Sequence, residues 1–166
     1  AMQTEQKNPH HIYTVGEHSI CGIELMNCFF GITSDKKIYD KIPENVLETA
    51  KQLAAKMDKK QQTVLCMTML LHDIAKPAVM TVDEKGIGHF IGHPAQSEKM
   101  AKKIMRRLTF DNDSILKACR LIRFHDYRME DKSRAFRRAV SKIGADIMDM
   151  LFLVEYADVL AQSDMQ

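Results

Sequence analysis

The stretch Leu70-Leu71-His72-Asp73-Ile74-Ala75-Lys76-Pro77 decides how this chain is read. It closes an apolar run, Val64 to Leu71, in which Thr68 carries the one hydroxyl. Such a run predicts a buried helix that delivers an imidazole and a carboxylate into the interior. Burying such groups without partners costs roughly 2–7 kcal/mol for a neutral polar group and more for a charge. A bound cation is the most direct compensation. An ordinary helix end with a surface His-Asp pair is the alternative, and the rest of the chain has to decide between them.

Toward the N-terminus, Asp58 reads as the N-cap of the helix that runs from Lys59 into His72, and Pro77 as the end of that helical region. A further helix opens at Pro43 and reaches about Met57, after a loop from Gly31 to Ile42. From Val15 to Phe30 the pattern is amphipathic. His18, Gly22, Leu25 and Phe29 fall at i, i+4, i+7 and i+11, so they share one face. His18 therefore points inward, with Gly22 leaving room beside it. Residues 1–13 are polar and irregular, and Ala1-Met2 reads as a vector remnant.

Toward the C-terminus, Ala78-Val79-Met80-Thr81-Val82 and Ile87-Gly88-His89-Phe90-Ile91 flank Asp83-Glu84-Lys85-Gly86, which is a hairpin signal. His93 then stands at a predicted N-cap, ahead of Pro94 at the first helical position. The inner stripe of that helix is Ser97, Ala101, Ile104, Met105 and Leu108. Asp111 or Asn112 caps the next helix, whose stripe of Ile115, Ala118, Cys119 and Ile122 runs into His125-Asp126. A small basic helix spans Arg134 to Ile143. The last helix, about Ala145 to Gln162, places Asp158 among Ile147, Met150, Leu151, Val154 and Ala161. An aspartate inside an apolar stripe needs a partner, either a metal or a buried cation.

With 166 residues, 45% of them apolar, and only 7 glycines and 4 prolines, the chain predicts a single all-α domain over 1–166 with a small hairpin. No apolar stretch reaches the roughly 18 residues of a membrane span, and no signal-peptide pattern is present. The four cysteines lack CxxC spacing and read as reduced core residues of a cytoplasmic protein. Net charge is only +2, yet residues 99–142 carry 14 Lys/Arg against 5 Asp/Glu. That block suggests an anionic ligand, either phosphate or nucleic acid, or else a solvated helix face.

The inward or locally unusual polar residues are His18, His72, Asp73, His93, His125 and Asp158. Imidazole with carboxylate suits Mn, Fe, Ni, Co, Zn or Mg and not a thiolate site. Six donors exceed the needs of one catalytic ion and suit a pair sharing a carboxylate, with Asp73 the natural bridge. Lys76 projects a cation nearby, where it would hold a phosphate oxygen.

The ordered set His18, His72-Asp73, His93, His125, Asp158 resembles the HD-domain metal-dependent phosphohydrolases. The segments 8–18, 72–77, 88–93 and 157–162 look most like the HD domain at the C-terminal end of bacterial CCA-adding tRNA nucleotidyltransferases. The resemblance implies an all-helical HD-domain bundle around one or two divalent metal ions. It implies His18, His72, Asp73 and Asp158 on the first metal, His93 and His125 as the extra histidines of dinuclear members, and Lys76 as the lysine of HD-x-x-K members. A small phosphorylated substrate, most naturally a nucleotide, is then the expected partner. Asp73 and Lys76 are the expected catalytic residues, and His89, Arg128 and Arg134 the further substrate contacts. An RNA-associated module with a structural metal site is the alternative.

Overall fold

The computed structural model describes residues 2–5, 13–33, 35–40, 42–128 and 133–162. The stretch 6–12, which holds His10 and His11 of the resembling segment, lies outside the described residues. The helices are α1 (Val15–Phe29), α2 (Lys36–Tyr39), α3 (Glu44–Ala54), α4 (Lys59–Leu71), α5 (Lys76–Val79), α6 (His93–Arg107), α7 (Asn112–Phe124), α8 (Ser133–Ile143) and α9 (Met148–Leu160). A 3₁₀ turn at Ala145–Ile147 leads into α9. Strands β1 (Thr81–Val82) and β2 (Gly88–His89) pair antiparallel, Thr81 opposite His89 and Val82 opposite Gly88.

Helix α4 is the centre of the bundle. It packs against α1, α7 and α9, while α6 lies on α7 and α3 on α9. Leu65 and Met69 of α4 are fully buried, and the apolar side chains of all the long helices join one continuous core. The apolar run Val64 to Leu71 is therefore central because helices close around it on several sides.

Each long helix that feeds the site begins on a side-chain cap or a built turn. Thr14 and Glu17 form a capping box at α1, and Asp58 and Gln61 form one at α4. Asp111, not Asn112, caps α7 by accepting from the Ser114 N–H at 3.1 Å. The N-terminal residues also serve α1: Thr4 and Met2 carbonyls accept from the Val15 and Gly16 N–H groups at 3.1 and 2.8 Å. These bonds satisfy donors that the first turn of a helix leaves open.

Several expectations are corrected. Pro77 does not end a helix. Helix α4 stops at Leu71, His72 is its C-cap, and Pro77 sits in the first turn of α5, where its missing N–H costs nothing. His93 is not an N-cap. Gly92 takes that position in a left-handed conformation (φ 79°), so His93 is the first helical residue and Pro94 the second. The hairpin ladder is two residues per strand, because Ala78 and Val79 belong to α5. The loop before α3 contains α2. The space at Gly22 is filled by the Met69 side chain, so that glycine sets the approach of α1 to α4.

Gly144 carries the most exacting turn. Its φ of 103° is a left-handed value, and an added Cβ would strike the Arg120 guanidinium. That guanidinium donates to Asp146 Oδ2 and Oδ1 at 2.7 and 2.8 Å and to the Ile143 carbonyl, tying α7 to the entry of α9. Gly144→Ala is expected to lose about 2 kcal/mol and so to lower the melting temperature by about 4–8 °C. An unchanged melting curve would show that this turn does not constrain the fold.

Candidate metal centre

Three of the four site histidines are oriented by the same local device. His72 and His125 are the C-caps of α4 and α7, and their Nδ1 atoms lie 2.9 and 2.8 Å from the carbonyls of Met69 and Ile122, three residues back. His93 Nδ1 meets the Phe90 carbonyl at 2.9 Å, again three residues back. His18 Nδ1 reaches across to the Ala161 carbonyl at 3.0 Å, just past α9. A carbonyl only accepts, so each Nδ1 carries the proton and donates it. In the neutral ring that leaves the lone pair on Nε2.

Those four Nε2 atoms converge. His18 and His72 Nε2 are 3.1 Å apart, and His93 and His125 Nε2 are 3.2 Å apart. Asp73 lies between the pairs. Its Oδ2 is 3.6 and 3.4 Å from Nε2 of His18 and His72, and its Oδ1 is 3.2 and 3.6 Å from Nε2 of His93 and His125. Asp158 Oδ1 closes the first group at 2.8 Å from His18 Nε2 and 3.2 Å from His72 Nε2. Lone pairs facing one another at such distances repel, and they become an asset only when a cation or protons lie among them.

The carboxylate of Asp73 shows the same deficit. Its Oδ1 is buried and accepts no hydrogen bond of adequate geometry among the described residues. Asp73 Oδ2 is held by Lys76 Nζ at 2.6 Å, and that ammonium also lies 5.4 Å from the centre of the Phe90 ring. The turn carrying Asp73 and Lys76 is fixed from α6, because the buried Ser97 hydroxyl accepts from the Ala75 N–H at 3.1 Å.

Without a metal the charges hold one another. Burial opposes an imidazolium at His72, but the carboxylates of Asp73 and Asp158 overcome it and push His72 up to about 10. Burial pushes the Asp73 carboxyl up as well, and the imidazoles of His72, His93 and His125 overcome that, holding it well below the ordinary carboxylate range. Asp158 is likewise held low against burial, by His18 and His72.

Three donor triads have atoms within 4.8 Å of one another: His18–His72–Asp73, His72–His125–Asp158 and Asp73–His93–His125. A cation at ordinary ligand distances of roughly 2.0–2.4 Å holds its donors about 3–4.5 Å apart, so the side chains stand near that arrangement already. The donors are nitrogen and oxygen only, which fits borderline-to-hard divalent ions. The two ends differ. His93 and His125 line an open cavity of about 600 Å³, together with Asp73, Lys76 and Asp158, whereas His18 and His72 are fully buried and do not line it.

The expected substrate residues divide. His89 lies on the cavity wall, half exposed, with Nε2 2.9 Å from Asp83 Oδ2. Asp83 also accepts from the Lys85 and Ile87 N–H groups, which builds the hairpin turn. Arg128 lines the cavity from the loop after α7. Arg134, expected at the phosphate, stands instead on the exposed side of α8. The helix buries Ala139 and Ile143, and Arg134 falls off that stripe. The sequence reading missed Asp126 and Gln162 on the cavity wall, and Glu155, which lines an adjoining cavity with Asp158. Burial and the nearby Asp158 charge push Glu155 up to about 7. A carboxyl one helical turn before a candidate ligand was the signal available for it.

No helix of the described residues is long and apolar enough to cross a membrane. Comparison with known proteins returns one family, described as HD domain, whose model matches residues 43–161. No curated protein and no solved structure matches the chain. The match includes His72, Asp73, His93, His125 and Asp158 and leaves His18 outside, so His18 joins the set on geometry alone. With well over half its length matched, this chain belongs to the HD-domain family.

Proposed function

We propose that this protein is a metal-dependent phosphohydrolase acting on a small phosphoester, most naturally a nucleotide. The observation that carries the reading is the convergence of four Nε2 atoms on the unbonded Oδ1 and the Lys76-held Oδ2 of Asp73. His18, His72, Asp73 and Asp158 would hold one ion, and Asp73, His93 and His125 a second. When bound, the ions supply a water activated near neutral pH and polarise the phosphoryl oxygens. Asp73 sets the spacing of the two halves. Lys76 holds positive charge beside the cavity, where a phosphoryl oxygen gains negative charge in the transition state. His89 stands at the cavity wall as the proton donor for the leaving oxygen, its ring held by Asp83, and Arg128 meets the outer phosphate oxygens. In the overall reaction water oxygen bonds to phosphorus, the bond from phosphorus to the ester oxygen breaks, and that oxygen takes a proton.

The test is the metal content of the protein purified without chelator, followed by hydrolysis of phosphoesters with Mn, Ni or Co added. About two ions per chain and metal-dependent turnover are expected. No bound metal, and none recovered on addition, would overturn the reading.

One observation favours a second reading, an RNA-associated module akin to the domains of tRNA nucleotidyltransferases. Helix α8 exposes Arg134, Arg137 and Arg138 around an exposed Phe136. RNA binding of this kind falls steeply with ionic strength, whereas turnover of a small phosphoester follows the added metal.

A further inference from the structure

The donors of the metal centre come from two groups of helices. His18, His72 and Asp158 belong to α1, to the end of α4 and to α9, which pack against one another in the middle of the bundle. His93 and His125 belong to α6 and to the end of α7, and α6 lies on α7 at the side. Asp73 stands on the turn between α4 and α5, and both groups have to be placed against it.

His93 is the histidine whose helix start is least secured. Thr14, Asp58 and Asp111 cap α1, α4 and α7 with their side chains, whereas α6 opens on Gly92 without a side-chain cap. The bond from His93 Nδ1 to the Phe90 carbonyl orients the ring, but it runs to the end of the hairpin and not to the turn that carries Asp73.

Ser97 supplies the missing fixed point. It is fully buried and lies one helical turn beyond His93, on the same face of α6. In the turn after α4, the Ile74 N–H donates to the Leu71 carbonyl at 3.3 Å and the Lys76 N–H to the Asp73 carbonyl at 2.9 Å. The N–H of the fully buried Ala75 crosses instead to the Ser97 hydroxyl at 3.1 Å. One face of α6 thus meets the turn at two places: His93 Nε2 lies 3.2 Å from Asp73 Oδ1, and Ser97 Oγ holds Ala75. Two attachments at different points along the helix fix its direction as well as its distance. A nitrogen lone pair and a carboxylate oxygen repel until a cation or a proton lies between them, so the attachment through Ser97 is the one that holds before an ion arrives.

We propose that Ser97 is a positioning residue for the second ion, setting His93 against Asp73 so that the donors of the open half are arranged before binding. This role rests on the phosphohydrolase reading with its pair of ions and deepens it: occupancy of the half that lines the cavity depends on a hydroxyl outside the ligand set. The donors of the first ion stand on α1, α4 and α9 and do not need it.

The test titrates the full chain with Mn and follows binding by calorimetry and by electron paramagnetic resonance, in which neighbouring Mn ions couple and a lone ion does not. Ser97→Ala keeps the helix and its packing but leaves the Ala75 N–H without its acceptor in the interior. It is expected to retain the first ion and to weaken the second by about tenfold or more. The coupled signal should then fade at Mn levels that saturate the parent protein and return at higher Mn. Ser114→Ala is the comparison for a mere loss of stability. It takes a buried hydroxyl from Asp111, 2.7 Å away, at the end of α7 remote from His125. It should lower the melting temperature and leave both ions and their coupling unchanged. If Ser97→Ala binds the second ion as tightly as the parent, or weakens both ions alike, or if Ser114→Ala loosens the second ion equally, Ser97 does not position the centre and the phosphohydrolase reading stands. If the parent holds one ion and no more, Ser97 has no second ion to place and its role is refuted. If the parent takes up none, the phosphohydrolase reading itself fails.

Discussion

Asp73→Ala is expected to lose bound metal and turnover together, the latter by more than about a thousandfold. Among the described residues, Asp73 is the side chain whose two oxygens face both histidine pairs, Oδ2 toward His18 and His72 and Oδ1 toward His93 and His125. Without it neither half keeps its anionic donor at the junction, and Asp158 is the one carboxylate left among the proposed ligands. The variant also leaves the Lys76 ammonium, 6% exposed, without the carboxylate that holds it at 2.6 Å. Removing one partner of a buried ion pair costs about 3–5 kcal/mol, so folding must be monitored. Asp73→Asn keeps the shape and provides that check, since it should fold and still lose most of the metal. Elemental analysis of both variants, set beside their turnover, decides the matter. Full metal content with retained activity would remove Asp73 from the centre of the mechanism.

What could be read from sequence follows from what is local. The i, i+4, i+7, i+11 spacing of His18, Gly22, Leu25 and Phe29 is a property of helix geometry, and His18 and Leu25 are buried as that spacing requires. The apolar runs ending in Leu71-His72-Asp73 and Phe124-His125-Asp126 announce two helices that end at the site. Their backbone carbonyls orient the histidines that follow, a relation visible once helix ends are assigned. Position 93 was misassigned because the left-handed backbone at Gly92 moves the cap back by one residue. What sequence could not supply is which way a side chain turns after its helix is placed. His89 turns to Asp83 within the hairpin, Lys76 turns back onto Asp73, and Arg134 lies off the buried stripe of α8. Glu155 carried a signal in its place one turn before Asp158, but the cavity it lines forms only where α9 packs beside the loop after α7.

The metal-free site is balanced by protons, and this sets the largest pH effect expected of the protein. His72 is pushed up to about 10 from an ordinary 6.5, since Asp73 and Asp158 overcome the burial that disfavours its charge. Its pKa is raised in the folded state, so its contribution to stability is fully present below 6.5 and is lost as pH rises through about 10. Asp73 and Asp158 are held below the ordinary 3.8, so their contribution is present above that value and is lost as pH falls through their folded values. The metal-free protein is therefore expected to be stabilised by this cluster between mildly acidic and neutral pH and to weaken toward alkaline pH. A metal ion at His72 Nε2 needs the lone pair that the proton occupies, because Nδ1 is committed to the Met69 carbonyl. Metal binding must then release about one proton, and apparent affinity should rise about tenfold for each pH unit well below the His72 value. Titration calorimetry with Mn at two pH values, each in buffers of different ionisation enthalpy, measures both quantities. An affinity that does not change with pH, with no proton released, would mean that His72 is neutral before the metal arrives and that the two carboxylates do not hold its proton.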